Sequence, residues 1–382
     1  MSTRIDPDFN KKLSAFGKAD WNECFHCGNC TAICPLSETG FLFPRKGMRA
    51  VQMGLEEKLT SDVNPWLCYY CGECTDTCPR DANPAEMMMT LRRWLTSAYD
   101  WTGISSLFYR SFKSHLALIV LFMLAVMASF LVFADFNTPL SSEGIVEINS
   151  FAPIRLIEII DLSMVGFLSF FLLSNIVNMY FKVVIRDKSV RVPIHLYFVK
   201  IWGGIFHFAT QARFSKCEDK RMYWFMHWFL MSSYVIMFIF IVFFLSWFQT
   251  DIIYPWYHPQ RLLGYYASAG IIIGSVYFVW NRIKRDKTIF IFSHHSDYLF
   301  PILLFLTALT GILVHIFRLS GLPTATYYMY MIHFMFLFPM VMLEVPFSKW
   351  AHLAYRPMAI YFANLKKAAL QIQYNRKLAP AT

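Results

Sequence analysis

Six stretches of this chain, Leu116–Phe133, Met164–Phe181, Met222–Phe248, Leu262–Trp280, Tyr298–Phe317 and Tyr327–Leu343, are almost unbroken runs of apolar side chains. Each is near the roughly 17–25 residues that carry a helix across a bilayer. Lipid offers the backbone no hydrogen-bond partner, so a run of this kind that enters a membrane must satisfy its own amides as a helix. Six such runs exceed what the core of one soluble domain needs. An apolar fraction of 56% with only 16% charged residues also excludes a disordered or collagen-like chain. All but one of the nine cysteines lie before residue 79, whereas the apolar runs begin after residue 114. The expected fold is therefore all-α and in two unlike parts: a helical domain over residues 1–105 and a six-helix membrane bundle over 106–356, with 357–382 as a C-terminal tail.

The net charge of +10 marks orientation and not a nucleic-acid surface, because the cations bracket the apolar runs. Lys182, Arg186, Lys188, Arg191, Lys200, Arg213, Lys216, Lys220 and Arg221 lie between the second and third runs, and Arg282, Lys284, Arg285 and Lys287 between the fourth and fifth. Lys349, Arg356, Lys366, Lys367, Arg376 and Lys377 follow the sixth, whereas Asp135–Pro153 has no Lys or Arg. The positive-inside rule then puts both termini in the cytoplasm, in keeping with an even number of crossings. The first residues, MSTRIDPDFNKKLSAFGKADWNEC, contain no apolar export segment, which fits a cytoplasmic N-terminal domain in the inner membrane.

The cysteines form two matched runs, Cys24-Phe-His-Cys27-Gly-Asn-Cys30-Thr-Ala-Ile-Cys34-Pro35 and Cys68-Tyr-Tyr-Cys71-Gly-Glu-Cys74-Thr-Asp-Thr-Cys78-Pro79. This is the spacing of a two-cluster ferredoxin, in which three thiolates hold one [4Fe–4S] cube and the fourth reaches across to the other. Cys24, Cys27, Cys30 and Cys78 are expected on one cluster, and Cys68, Cys71, Cys74 and Cys34 on its partner. Zinc sites favour cysteine pairs over proline-ended quartets, and disulfides do not persist in the cytoplasm. The segment PRKGMRAVQMGLEEKL between the runs has helical spacing, so this domain is expected to be helix-rich. Cys217 stands alone and is expected to be a structural thiol.

Of eleven histidines, His26, His195, His207, His294 and His295 fall in connecting segments and are expected on the solvated surface. His227, His315, His333 and His352 lie in or at the ends of spans, where ionisable groups mark functional sites and paired imidazoles are the usual axial ligands of haem b. Depth pairs His227 with His352 on the inner side and His315 with His333 on the outer side. Nineteen residues separate His333 from His352, about 28 Å if the helix is continuous, enough to stack two haems. His258 and His115 are the substitutes if one of these four fails.

The two cysteine runs, 44 residues apart and joined through PRKGMRAVQMG, look like the C subunit of heterodisulfide reductase. The later HFMFLFPMVMLEVPFSKWAHLAYRP resembles the last helix of the cytochrome b subunit of respiratory nitrate reductase. Their fusion in one chain is similar to the family of C subunits of the quinone-interacting membrane-bound oxidoreductase complexes of sulfate reducers. The resemblance covers nearly the whole chain. It implies electron transfer between menaquinone, two b haems and two [4Fe–4S] clusters, with heterodisulfide-reductase-like flavoprotein subunits A and B as partners and adenylylsulfate reductase beyond them. It also implies haem ligation by His227, His333 and His352. The family has a further histidine ten residues after the first, and here that position is Met237; His315 takes its place on grounds of depth.

No nucleophile motif, phosphate loop or flavin fingerprint is present, so chemistry beyond quinone belongs to partner subunits. Arg155, Glu158, Asp161 and Arg318 near the outer haem, and Glu344 and Lys349 near the inner one, are the expected quinone-site groups, the outer set being favoured. A fused ferredoxin and cytochrome b from a sulfite- or heterodisulfide-reduction complex has the same cofactors with another acceptor. A transporter or anchor carrying a ferredoxin calls for paired intramembrane acids, and only Glu344 lies deep in a span.

Overall fold

The computed structural model describes residues 4–37, 44–137, 140, 144–211 and 221–378, the side chains of 376–378 excepted. Cys217, Arg213, Lys216 and Lys220 lie outside the described residues. Among the described residues every regular element is helical and no strand occurs, so the fold is all-α.

The N-terminal domain is built from short turns around α1 (Arg45–Gln52) and the longer α2 (Pro84–Tyr99). The helix predicted between the cysteine runs is α1, which buries Met48, Ala50 and Val51. Proline at the first turn of α2 lacks an N–H that would have no intrahelical partner there, so it starts the helix at no cost. The cysteine runs themselves fold as loops ending in single helical turns, Asn29–Ala32 and Glu73–Asp76.

Among the described residues six helices are long and apolar enough to cross a bilayer: α3 (Phe112–Phe133), α4 (Ile154–Ile185), α5 (Arg221–Phe243), α6 (Pro259–Lys284), α7 (Ser296–Leu319) and α8 (Pro323–Phe347). They are consistent with a multi-pass membrane protein. α8 is the most enclosed, with 61% of its apolar window buried, and α3 the least, with 11%. Leu121, Leu124, Leu131, Val132 and Phe133 of α3 stay exposed, as side chains in contact with lipid do. Gly270 and Gly274 bring α6 close against α5, since a Cβ at either position meets Ser233 or Leu230. Small residues permit such close approach between helices in lipid.

The second span starts earlier than its apolar run, so Arg155, Glu158 and Asp161 lie inside α4 and not ahead of it. The third span stops at Phe243, and Leu245–Phe248 forms a separate turn after Phe244 leaves helical geometry. The sixth does not continue to His352. A π-turn at Met340–Glu344 adds a residue, Ser348 is extended, and a 3-10 turn Lys349–Ala351 follows. His352 therefore opens a new helix, α9 (His352–Leu378), and the 28 Å of continuous helix expected between His333 and His352 is not realised. Pro346, which cannot donate to the preceding turn, stands just before this break.

Residues 357–378, expected as a tail, belong to α9, which is part of the N-terminal domain's core. Tyr355, Ala359, Phe362 and Ala363 join Phe9, Trp66, Met87 and Leu91 in one buried cluster, and the rings of Trp66 and Tyr355 are 5.2 Å apart. The apolar face of α9 alternates with Lys and Arg, so no run of hydropathy reveals it.

A buried ionic cluster joins the two parts. Asp297 at the start of α7 meets Arg282 at 3.2 Å, Arg93 at 3.8 Å and the ammonium of Lys349, while Arg93 also pairs with Glu86 at 2.9 Å. Ions this deeply buried persist only when paired, so the cluster fixes how α2 seats on the bundle.

Candidate functional site

Gly28 and Gly72, with φ of +91° and +94°, turn each cysteine loop into its helical turn in the left-handed conformation that glycine tolerates. A Cβ at Gly72 lies 2.6 Å from Ile289 Cγ2, so this loop is pressed against the connection between α6 and α7. Cys24, Cys27 and Cys78 are neighbours of Cys30, and Cys68 and Cys71 are neighbours of Cys34, whereas Cys74 has Cys68, Cys71 and Cys34 and also Cys30 nearby. Cys30 and Cys74 pack together beneath Ala85 and Tyr70, at the seam between the runs. Burial pushes the Cys34 thiol up to about 11, the usual situation of a thiol that a metal must deprotonate. Among the described residues no three of these side chains lie close enough together to hold a single metal ion.

The second run faces the membrane bundle. The Tyr70 hydroxyl contacts Glu86 Oε2 and the Ile289 carbonyl, each at 2.8 Å, and Thr288 donates to Asp76 Oδ1 at 2.6 Å. The first run faces outward, where Cys27 and Phe25 are exposed.

Directly behind the second run is a cavity of about 220 Å³ into which His227 of α5 and His352 of α9 project. Their ring centres are 6.4 Å apart with planes inclined at 58°. A metal bonded to two imidazoles at about 2 Å each puts the ring centres about 6 Å apart, so the spacing fits an iron between them. His352 Nδ1 donates to the Lys349 carbonyl at 2.6 Å and His227 Nδ1 meets Gln211 Oε1 at 2.8 Å, contacts that direct the other nitrogen toward a metal. Burial and the His227 ring hold His352 down at about 3, which keeps it neutral for ligation.

Four guanidinium groups line the same cavity, of which Arg93 and Arg282 are paired in the ionic cluster with Glu86 and Asp297 and Arg92 and Arg356 are not. Arg92 bonds the Pro65 and Cys68 carbonyls, and Arg356 reaches the Cys68 carbonyl at 3.0 Å while lying over the Tyr69 ring. Neither has an ion-pair partner among the described residues, and the buried Arg356 Nε has no hydrogen bond. Burial and the neighbouring Arg356 bring Arg92 down to about 10. Two unneutralised cations beside facing imidazoles fit a haem with its two carboxylates.

A second cavity of about 300 Å³ lies in the other half of the bundle and contains His333, Met237 and His315. His333 Nδ1 bonds the Thr307 carbonyl at 3.0 Å and meets Thr310 Oγ1 at 3.1 Å, and Gly311 leaves room for its ring. His315 differs on both counts. It lies five residues nearer the far end of α7 than Thr310, about 8 Å of helix rise, and its Nε2 is engaged by Arg261 and by the Tyr265 hydroxyl, each at 3.1 Å.

The other sequence candidates are dispersed. Asp161 and Arg318 line this second cavity, but Arg155 and Glu158 are exposed on the outer surface of α4. Glu344 is fully buried 2.6 Å from His115, so these two face each other and neither cavity. Lys349 pairs with Asp297 and lines the first cavity. His258 stacks on Tyr254 at 3.9 Å. His207, His294 and His295 are not solvated as expected: they bond Tyr69, Tyr109 and Phe108 across the junction, because the connections carrying them dock on the N-terminal domain. Sequence reasoning missed Arg92, Arg356, Arg261 and Tyr265: Arg356 and Arg261 read as anchors at the ends of spans, and Arg92 and Tyr265 belong to no motif, so only their partners in space reveal them.

Residues 20–82 match the family model for a 4Fe-4S dicluster domain. The N-terminal domain is a 4Fe-4S dicluster domain. It is 38% identical over 77 residues to a protein of Archaeoglobus profundus named for its likeness to the C subunit of heterodisulfide reductase, covering 20% of this chain and 41% of that one. It is 33% identical over 63 residues to the C subunit of the H(2):CoB-CoM heterodisulfide, ferredoxin reductase of Methanothermobacter marburgensis and to that of Methanothermobacter thermautotrophicus, covering 16% of this chain and 34% of each relative. The chain thus spans about two-fifths or less of the length of these relatives. No solved structure matches the chain at comparable significance. The relatives are oxidoreductase subunits, and the dicluster domain makes this chain an iron–sulfur protein suited to electron transfer.

Proposed function

We propose that this chain is the membrane electron-transfer subunit of a quinone-interacting oxidoreductase, with menaquinone as its lipid substrate and the dicluster domain and both termini in the cytoplasm. The clusters and haems supply one-electron redox steps that bridge a two-electron quinol and a soluble acceptor. The observation that carries the reading is the pair His227 and His352 at 6.4 Å, behind a cysteine run whose Cys68 carbonyl is held by Arg92 and Arg356 of the same cavity. On this reading Cys24, Cys27, Cys30 and Cys78 hold one cluster and Cys68, Cys71, Cys74 and Cys34 the other. His227 and His352 ligate an inner haem b, and His333 ligates a second in the cavity that Met237 also lines.

Arg92 and Arg356 hold carboxylates and join the inner site to the Cys68 loop. The exposed face around Phe25, Cys27 and Ile33 is where a partner docks. The partners are heterodisulfide-reductase-like flavoprotein subunits A and B, with adenylylsulfate reductase as the final acceptor. The names of the archaeal relatives support a second reading, in which the acceptor belongs to a heterodisulfide- or sulfite-reduction complex.

Reduction of the purified protein by menadiol, followed by haem absorbance and cluster EPR, tests the proposal. Reduction of both cofactor types supports it, and inert haems sink it. Adding each candidate acceptor then separates the two readings. Replacing Arg356 with Gln removes a buried positive charge beside the inner haem. Its midpoint potential is expected to fall by about 60 mV, a tenfold shift for a one-electron couple, as read by redox titration.

A further inference from the structure

The second cavity has apolar walls and one polar end, and that end contains a carboxyl group with nothing bonded to it. Asp161 is 5% exposed and lines the cavity, yet no described residue gives it a hydrogen bond. A carboxyl group left unpaired in an apolar surrounding is costly, and such groups persist where a ligand completes them. Beside it on α8, Tyr330 donates to Gln249 Oε1 at 3.1 Å. From α6 and α7 the triad of Arg261, Tyr265 and His315 lines the same cavity.

These groups lie between about 3 and 10 Å from the far ends of their helices by residue count, whereas His333 lies about 15 Å in. The polar end is thus a separate shell nearer the membrane surface than the imidazole of His333. We infer that it binds the dioxygenated head group of a lipid-soluble quinone, with the triad of His315 bonding one ring oxygen and Asp161 the other, and that His315 is a quinone-contacting residue and not an iron ligand.

The chemistry favours this occupant. A quinone or quinol head is neutral, planar and apolar except for two oxygens at opposite ends of the ring, which can each accept or donate a hydrogen bond. Tyr330 and Tyr265 suit either such a head or a phosphate, and Arg261 and Arg318 alone suit a phosphate, but the Asp161 carboxylate beside them repels an anion and accepts from a quinol. An isoprenoid tail fits the aliphatic walls contributed by α4 and α5. The inference rests on the proposed quinone link and adds where the head group sits.

The test uses the purified full chain with its cofactors in detergent. Binding of the quinol analogue 2-heptyl-4-hydroxyquinoline N-oxide is followed by fluorescence quenching in the wild type, His315→Gln and Asp161→Asn. Haem spectra and extracted lipids are measured on the same samples. The expected result is binding weakened about tenfold or more in each variant, both haem spectra unchanged, and quinone recovered from the wild type. Loss of a low-spin haem signal in His315→Gln overturns the inference by making His315 a ligand. Unchanged binding in both variants overturns the location, and phospholipid in place of quinone overturns the occupant. A wild type that binds the analogue nowhere and whose haems menadiol leaves oxidised instead removes the quinone link itself.

Discussion

Replacing His352 with alanine is expected to abolish one low-spin haem signal while the other haem and both clusters remain. His352 and His227 are the facing imidazoles of the cavity behind the second cysteine run, and their 6.4 Å separation leaves room for one metal between them. Without His352 an iron there keeps a single imidazole and cannot stay in the six-coordinate low-spin form. Loss of even an outer-shell partner of a metal ligand typically costs about 10–100-fold in affinity, and loss of the ligand costs more. The fold should tolerate the change, because α9 is anchored by Tyr355, Ala359 and Phe362. His294→Ala is the matching control: that ring bonds the Tyr109 carbonyl at 3.0 Å and should leave both haem spectra intact. Absorbance and EPR of the two variants decide the matter. A His352→Ala protein with two unaltered low-spin haems contradicts the assignment.

Cys68→Ser is expected to have the largest effect on stability. On the proposed assignment Cys68 shares a cube with Cys34, Cys71 and Cys74, and its carbonyl receives both Arg92 and Arg356, so losing this cube loosens the cluster and its seat on the bundle together. Metal binding supplies much of the folding free energy of small metallo-domains, about 10 kcal/mol for structural zinc peptides at neutral pH. Part of that loss is offset by the apolar core shared with α9. A residual deficit of several kcal/mol corresponds to a fall in Tm of about 10 °C or more. Thermal unfolding and iron analysis should show this together with the loss of about four non-haem irons. Cys27→Ser, at the exposed loop, should remove the other cube with a smaller drop in Tm, because that run makes no contact comparable to Tyr70 with Ile289.

Much of this arrangement is legible in the amino-acid sequence. Apolar run length fixes six spans, since a bilayer leaves a chain little choice, and the two proline-ended cysteine runs identify a dicluster domain by spacing alone. His227 and His352 come together because both lie at one end of their apolar runs. What the sequence hides is set by contacts distant in the chain. α9 looks like a polar tail because its apolar residues come singly, and only the core containing Trp66 shows what they cover. Glu344 and His115 each read as a lone functional group, whereas the fold sets them facing each other. Depth along a helix does not reveal which way a ring nitrogen points, so His315 and His333 look alike in sequence, whereas Arg261 and Tyr265 separate them in space.

The central claim is that one chain carries both a dicluster domain and a haem-binding membrane bundle. Counting non-haem iron, acid-labile sulfide and protohaem per chain in anaerobically purified protein tests it most directly. The expected result is about eight non-haem irons with matching sulfide, together with two b haems. Fewer than about seven such irons, or a chain that purifies intact without haem, contradicts it.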